Sequence, residues 1–156
     1  MSTAKGMDLI LWRHAEAEYS SPDETRALTE KGRDQAERMA RWLTRNAPKD
    51  LKIIVSPATR TRQTVAPFSS KIAIDPRVST SGSPESLLEA AGWPKTDGAV
   101  LVVGHQPTLG EVAAMLLGQA GAEMSVKKGS IWWFRVRERH GVRETILKAV
   151  VPAELT

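Results

Sequence analysis

Short apolar runs alternate along this chain with longer stretches in which apolar residues recur at helical spacing. Three of these short runs are Leu9–Trp12, Ile53–Val55 and Val100–Val103. Uninterrupted runs of this length are typical of strands that are buried on both faces of a sheet. Each run is followed by polar residues and then by a helical stretch, which predicts repeated strand–helix units.

Capping residues and prolines predict where the helices begin and end. The first helical stretch repeats apolar residues at i, i+3, i+4 and i+7 from Ala36 onwards, which defines one buried face. The predicted boundaries are Thr29 to Asn46, Ser56 with Pro57 to Pro67, Ser83 with Pro84 to Gly92, and a capping box of Thr108 and Glu111 to Gly118.

The C-terminal segment has a different pattern. It predicts two strands joined by a turn at His140-Gly141, and "KIAIDP" at 71–76 adds another short strand. Strands that alternate with helices imply right-handed crossovers. The sequence therefore predicts an α/β protein: a three-layer α/β/α fold with a mostly parallel central sheet and antiparallel C-terminal strands, forming one domain over residues 1–156.

Composition narrows the possible functions. The chain has no cysteine, which excludes disulfides, zinc–thiolate sites and cysteine nucleophiles, and it has three histidines. No apolar stretch approaches the ~18 residues of a membrane span, and the N-terminal run is too short for a signal peptide. We therefore expect a cytoplasmic protein that acts without a membrane. The net charge of +4 alone says little about partners.

Polar residues follow each of the three buried strands directly. They are Arg13-His14 after the first, Ser56 to Arg60 after the second, and Gly104-His105 after the third. Ligands of parallel sheets bind beyond the carboxyl ends of the strands, so these residues are expected to meet there. Gln63 and Thr64 share a helix face with Arg60. Helix N-termini starting at Ser56 and near Thr108 would add to the attraction for anions.

The expected pocket is strongly positive, because no carboxylate stands at these strand ends. Guanidinium groups bind phosphate in a bidentate manner, so a phosphoryl group is the natural ligand. A histidine among cations stays neutral and can attack phosphorus. Positioning and charge stabilisation are most of what phosphoryl transfer requires, so neither a metal nor another cofactor is expected.

At this point the residues resemble the histidine phosphatase superfamily, whose fold is called phosphoglycerate mutase-like. Its Arg-His-Gly signature appears as Arg13-His14-Ala15, with alanine in place of the usual glycine. "SPATRTRQT" (56–64) and "GHQP" (104–107) resemble its second and third elements, and "LTEKG" (28–32) resembles its leucine-threonine-x-x-glycine stretch. The small size and "RHAEA" are similar to the SixA-type phosphohistidine phosphatases.

The resemblance implies a role for each matching residue. His14 would become the phosphohistidine intermediate, while Arg13, Arg60 and His105 would hold the phosphoryl oxygens. We add Gln63 as a candidate substrate-binding residue. The proton donor stays open between Glu16, or its neighbour Glu18, and Glu85, because the loop that carries the family's glutamate reads "RVSTSGSPE" here.

A weak acid arrangement favours a phosphoramidate substrate, since imidazole leaves phosphorus more readily than an alkoxide does. We therefore expect a phosphatase that acts on a phosphohistidine protein. The alternatives are a small-molecule phosphomonoesterase, a mutase-like enzyme and a phosphate-binding module that does no chemistry.

The segment 126–143 raises one further alternative, because it places tryptophans beside basic residues. Such a pattern can bind single-stranded nucleic acid if the rings are exposed. Trp132, Phe134 and Val136 alternate as one strand face, however, which is more simply explained as core. We therefore expect no nucleic-acid partner. His140 is expected to lie in a turn, away from the chemistry.

Overall fold

The structure, a computed structural model, describes residues 6–95 and 97–156. Residues 1–5, part of the stretch considered for a signal peptide, lie outside this range. Six strands form one sheet: β1 (Gly6–Arg13), β2 (Leu51–Val55), β3 (Ala73–Ile74), β4 (Gly98–Gly104), β5 (Ile131–Arg139) and β6 (Val142–Val151). Their order is β3-β2-β4-β1-β5-β6, in which β1 to β4 are parallel and β5 and β6 are antiparallel.

Four helices cover the two faces of this sheet: α1 (Glu30–Asn46), α2 (Thr59–Val65), α3 (Pro84–Ala91) and α4 (Thr108–Leu116). Met39 and Leu43 of α1 pack with Val65 of α2 on one face. Leu87 of α3 and Leu109 of α4 pack on the other. The predicted three-layer α/β/α fold is thus confirmed. No helix in the described ranges is long and apolar enough to cross a membrane.

The central strands end level with one another. In the β1–β4 pairing, Arg13 stands opposite Gly104, and the His14 amide donates to the Gly104 carbonyl at 3.1 Å. On the other side of β4, the Ser56 amide donates to the Val103 carbonyl at 3.1 Å. These backbone bonds bring the residues that follow β1, β2 and β4 to one edge of the sheet, as the sequence predicts.

Two helix starts are as predicted. The Thr29 side chain accepts from the Gly32 amide, and Ser83 forms a capping box with Ser86. The predicted end of α3 is also confirmed, since Gly92 adopts the left-handed conformation with φ 71°.

The capping residues predicted for the other two helices are wrong. Ala58 still has an extended conformation, so α2 begins at Thr59. The Ser56 hydroxyl lies 2.7 Å from His105 and accepts from the Ala58 amide at 3.3 Å, before the helix begins. In α4, Thr108 is the first helical residue and caps nothing. The carboxamide of Gln106 takes that function, because its oxygen accepts from the Gly110 amide at 2.7 Å.

The C-terminal strands form the predicted hairpin. His140 and Gly141 both have positive φ, 52° and 76°, as a two-residue type I′ turn requires. Phe134 is buried, and the Trp132 ring packs against it at a centroid distance of 6.5 Å. On the opposite face Trp133 is buried and donates to Asp8 at 2.8 Å. The aromatic face is therefore core, and the exposed ring that nucleic-acid stacking needs is not found at either tryptophan.

A close backbone approach explains why the "LTEKG" segment ends in glycine. Gly32, in the first turn of α1, packs directly against the main chain of Glu16, and a Cβ at this position would overlap the Glu16 carbonyl oxygen. The Thr29 amide donates to the same carbonyl at 3.0 Å. Threonine and glycine thus fasten the start of α1 to the loop that follows His14.

We expect Gly32→Ala to lower the free energy of unfolding by about 1–3 kcal/mol, as overpacking does elsewhere. Gly104→Ala is the control, because its Cβ would make only ordinary contacts, with the Leu109 side chain at 3.5 Å and the Val78 carbonyl oxygen at 3.7 Å. Urea denaturation of both variants measures the difference. If Gly32→Ala were as stable as Gly104→Ala, the close approach would be contradicted. Without that approach, alanine would stabilise the helix relative to glycine by up to about 1 kcal/mol.

Candidate active site

A cavity of about 380 Å³ lies at the carboxyl ends of β1, β2 and β4. It is lined by Arg13, His14, Arg60 and His105, the four residues that the sequence predicts to meet there. The surrounding loops add five more lining residues: Tyr19, Arg26, Thr80, Gln106 and Lys128.

His14 presents one ring nitrogen to chemistry. The ring is buried, and Nδ1 lies 2.7 Å from the Ala15 carbonyl oxygen. Because a carbonyl can only accept, Nδ1 carries the proton and Nε2 keeps its lone pair. Burial, followed by the nearby His105, Arg60 and Arg13, lowers the pKa of His14 to about 3, although the bond to Ala15 opposes this. The imidazole is therefore neutral near pH 7.

His105 is oriented by two polar neighbours. Nε2 lies 2.7 Å from the Ser56 hydroxyl, and Nδ1 lies 3.4 Å from a terminal nitrogen of Arg60. A guanidinium can only donate, so Nδ1 is the unprotonated nitrogen and Nε2 donates to Ser56. Burial and then Arg60 lower the pKa of His105 to about 4. The His14 and His105 rings are 5.4 Å apart, centroid to centroid.

Arg60 reaches the cavity from the first turn of α2 and is almost fully buried. Its two terminal nitrogens donate to Asp23, one to the main-chain oxygen at 2.8 Å and one to the carboxylate at 3.1 Å. Arg26 donates to the other carboxylate oxygen at 3.2 Å. These contacts, first Arg26 and then Arg60, lower the pKa of Asp23, so the carboxylate is ionised near neutral pH.

Arg13 is fixed by the loop that precedes β5. Its Nη1 donates to the Val126 carbonyl at 2.9 Å, and the Gly129 amide contacts the carbonyls of Arg13 and His14, each at 3.1 Å. Burial, and secondly Arg60, lowers the pKa of Arg13. The same loop brings Lys128 to the cavity.

Each of the two cavity-lining arginines has one buried N–H donor that makes no hydrogen bond within the described residues. The Nε atoms of Arg13 and Arg60 are buried and have no hydrogen-bond partner among the residues that the structure describes. An unmet buried donor costs roughly 1–3 kcal/mol. Such a cost is common where a site is arranged for a ligand and not for the stability of the free protein.

The Thr64 hydroxyl links α2 to the segment that follows β1. Its hydroxyl accepts from the Ala15 amide at 3.0 Å and donates to the Arg60 carbonyl at 2.7 Å. Ala15 is buried against Ala17, Leu28 and Ala36, and its φ is not positive. Alanine therefore fits where the family usually has glycine.

Four sequence candidates are not brought to the cavity. The Gln63 carboxamide oxygen accepts from the Leu28 amide at 2.7 Å and fixes the loop instead of facing a substrate. The Glu16 carboxylate accepts from the Thr29 hydroxyl at 2.7 Å. Glu85 is exposed in the first turn of α3 and does not line the cavity. Glu18, the other acid near His14, is likewise absent from the lining.

Sequence reasoning missed Asp23, Tyr19 and Lys128, and it favoured a solvated face over the pocket rim for Arg26, which lines the cavity. All four come from loops and not from strand ends, and Asp23 lies ten residues after Arg13 in a stretch that carries only a polar signal. The "DETR" spacing of Asp23 and Arg26 is that of an i, i+3 ion pair, which was the one available hint. Among the described side chains, no three histidines or acids gather as a metal ion would require.

Comparison with known proteins identifies the family. Residues 9–81 match the profile of the histidine phosphatase superfamily (branch 1). An uncharacterized protein of Picosynechococcus sp. is 32% identical over 137 residues, covering 80% of this chain and 82% of that protein. A SixA phosphohistidine phosphatase homologue of Haemophilus influenzae is 29% identical over 129 residues, covering 72% and 79%.

A solved structure extends the likeness over nearly the whole chain. A candidate SixA phosphohistidine phosphatase from Nakamurella multipartitia superposes with a TM-score of 0.73 and 26% identity, covering 96% of this chain and 97% of that one. The chain belongs to the histidine phosphatase superfamily and is a phosphatase of the SixA-like kind.

The lowered histidine pKa values give a direct test. Without ligand, we expect the ring NMR signals of His14 and His105 to stay constant between pH 5 and 8, because both rings are already neutral there. Arg60→Met removes a nearby cation, so both pKa values should rise, while the exposed Arg62→Met should leave them unchanged. A midpoint near 6.5 for either ring in the unmodified protein would contradict the assignment.

Proposed function

We propose that this protein is a metal-independent phosphohistidine phosphatase that works through a phosphohistidine intermediate on His14. The observation that carries this proposal is the bond from His14 Nδ1 to the Ala15 carbonyl, which leaves Nε2 as a neutral nucleophile beside two arginines. The SixA name of the Haemophilus relative is consistent with such a substrate. The whole activity would reside in the single domain over residues 1–156.

In the first step, Nε2 of His14 attacks the phosphorus atom in line with the leaving group. A bond forms between Nε2 and phosphorus while the bond from phosphorus to the substrate imidazole breaks. The imidazole leaves with the electron pair of that bond. If its second ring nitrogen already carries a proton, the imidazole departs as a neutral molecule.

Arg13, Arg60 and His105 would hold the three phosphoryl oxygens. The two guanidinium groups supply the positive charge that divalent metal ions supply in other phosphatases. His105 can donate to phosphate only if Nδ1 gains a proton, because that nitrogen is unprotonated in the free protein. An incoming dianion favours this proton, since a nearby negative charge raises the pKa of an imidazole.

The carboxylates support a phosphoramidate substrate over an alkyl phosphate. Glu16 is engaged by Thr29, Glu85 lies outside the cavity, and Asp23 is kept ionised by two arginines. An alkoxide leaving group needs a proton from a general acid, and neither Glu16 nor Glu85 lines the cavity to deliver one. A protonated phosphohistidine ring has no such need.

In the second step, water attacks the phosphorus of the phosphoenzyme and releases inorganic phosphate. Nδ1 of His14 retains its proton throughout, held by the Ala15 carbonyl. The ring can therefore leave phosphorus as neutral imidazole, ready for the next cycle. The proton lost by the attacking water goes to phosphate or solvent.

A small-molecule phosphomonoesterase is the second candidate. It is favoured by the 380 Å³ cavity, which is large enough for a compact phosphate ester. The same His14 chemistry would apply, but an alkyl ester would require a protonated acid. Activity on simple alkyl phosphates at a rate comparable to phosphoramidates would therefore favour this candidate.

The nucleophile is tested with a histidine-phosphorylated phosphotransfer domain and with N-phosphoimidazole as substrates, in the presence of EDTA. We expect His14→Ala to lower kcat by at least about 10³-fold, since removing a nucleophile has effects of this size or larger. His140→Ala is the matched control, because His140 lies in the hairpin turn. Activity that survives in His14→Ala would refute the nucleophile, and activity lost to EDTA would refute the metal-free mechanism.

Arg60 provides a separate test of charge stabilisation. We expect Arg60→Met to lower kcat by about 10²–10³-fold, as loss of a transition-state donor does elsewhere. Arg62→Met, two positions along and exposed on the same helix, should retain full activity. Steady-state rates with N-phosphoimidazole measure both variants, and equal losses would show that the charge acts only over long range.

A further inference from the structure

We propose that Tyr19 is a platform on which the leaving group stacks, so that the site selects phosphoryl groups carried by a planar ring. This inference rests on the proposed function, because it assigns the part of the substrate beyond the phosphoryl group. The ring can be the imidazole of a phosphohistidine protein or the aryl group of a small phosphate ester. These two sources share one chemistry, and the experiments below separate them.

Tyr19 is unusually exposed for an aromatic residue. Its relative exposure is 91%, against 77% for Leu155, the next most exposed large apolar side chain in the described ranges. Keeping apolar surface in water costs about 25 cal/mol per Å². Tyr19 nevertheless lines the same cavity as His14. It therefore contributes little to the core and stands at the entrance to the nucleophile.

The ring is supported from one side. The Arg26 guanidinium lies 5.6 Å from the Tyr19 centroid, within the range of a cation–π contact. Arg26 is itself fixed, because it donates to the Glu18 carbonyl at 2.6 Å and to the Asp23 carboxylate at 3.2 Å. The high exposure of the ring leaves its other side open to solvent and to a ligand.

The segment that carries Tyr19 is tied down at its base. The Glu18 amide donates to the Ala27 carbonyl at 2.8 Å, and Ala17 forms an antiparallel bridge with Leu28. These backbone bonds fix the main chain directly before Tyr19, and the Arg26 contact orients the ring itself. A preset aromatic ring binds with a smaller loss of conformational entropy than a mobile one.

Stacking would favour the leaving group that the mechanism needs. Aromatic pairs gain an increment worth about two- to tenfold in affinity beyond the area that they bury. A tyrosine face also attracts a cationic ring more strongly than a neutral one. The platform would therefore favour the protonated imidazole, which is the form that departs from phosphorus without a general acid.

Binding of two phosphonates tests the platform without relying on catalysis. Phenylphosphonate and methylphosphonate carry the same anion, and only the first has a ring. Calorimetry on the full chain gives the ratio of their Kd values. We expect Tyr19→Leu to lower the preference for the phenyl compound by about two- to tenfold, and Tyr19→Phe to retain it. Leu155→Ala, another exposed apolar residue, should change nothing.

Two results would overturn the proposal. An unchanged phenyl preference in Tyr19→Leu would show that the ring is not a platform. An equal loss for both phosphonates would show that Tyr19 only supports Arg26. Since these affinities are measured without turnover, failure of the proposed function would appear separately, as an absence of hydrolysis in the unmodified protein.

Steady-state kinetics then show whether the planar ring that stacks on Tyr19 belongs to a protein or to a small molecule. In Tyr19→Leu, kcat/KM for a histidine-phosphorylated domain and for phenyl phosphate should fall relative to that for methyl phosphate. A fall confined to the phosphorylated domain assigns the platform to a protein substrate, and a fall for both assigns it to planar rings in general. Equal effects on all three substrates would contradict selection by the ring.

Discussion

Positive charge crowded at one sheet edge is the interaction on which the rest of this site depends. Arg13 and Arg60 are held together with two buried histidines. Burial, and after it the positive charge of the arginines, lowers the pKa of both imidazoles and keeps them neutral. In the proposed mechanism, a neutral imidazole beside two cations serves as the nucleophile, and the cations recognise phosphate. Bringing these groups together is unfavourable in the free protein, so the fold must enforce it.

Backbone hydrogen bonds and a few short side chains hold these charged groups and histidines together. The His14 amide bonds to Gly104, the Ala15 amide bonds to Thr64, and Gly129 bonds to the carbonyls of Arg13 and His14. Each of these contacts joins segments that are distant along the chain. The parallel β1–β4 pairing aligns the strand ends, while Thr64 and Gly129 add the loop and helix that carry the other charges. Stability supplied elsewhere in the sheet thus supports a strained distribution of charge.

The sequence predicted the residues at the strand ends and missed those from the loops, for a physical reason. An apolar run that ends in a charged pair marks both a strand and its edge, so Arg13, His14 and His105 followed from local pattern alone. Ser56 was wrongly predicted to cap a helix. A serine hydroxyl before a helical stretch can cap the helix or accept a hydrogen bond from a histidine, and the sequence does not distinguish the two. Glu16 was a candidate acid only by proximity in sequence. Tyr19 and Asp23 depend on how a loop folds back, which no periodicity encodes.

The Asp23 carboxylate compensates part of the positive charge of the site in the free protein. Its carboxylate lies between Arg60 and Arg26, and it raises the pKa of His105 against the opposing effect of Arg60. The side chain is 55% exposed, so a stronger anion can displace it at little cost in burial. A phosphoryl dianion would act on His105 in the same direction as Asp23, but with greater charge. The protonation of His105 is therefore coupled to what occupies the cavity. In the free protein, the Asp23 carboxylate supplies part of the negative charge that a bound phosphoryl group would supply under the proposed mechanism.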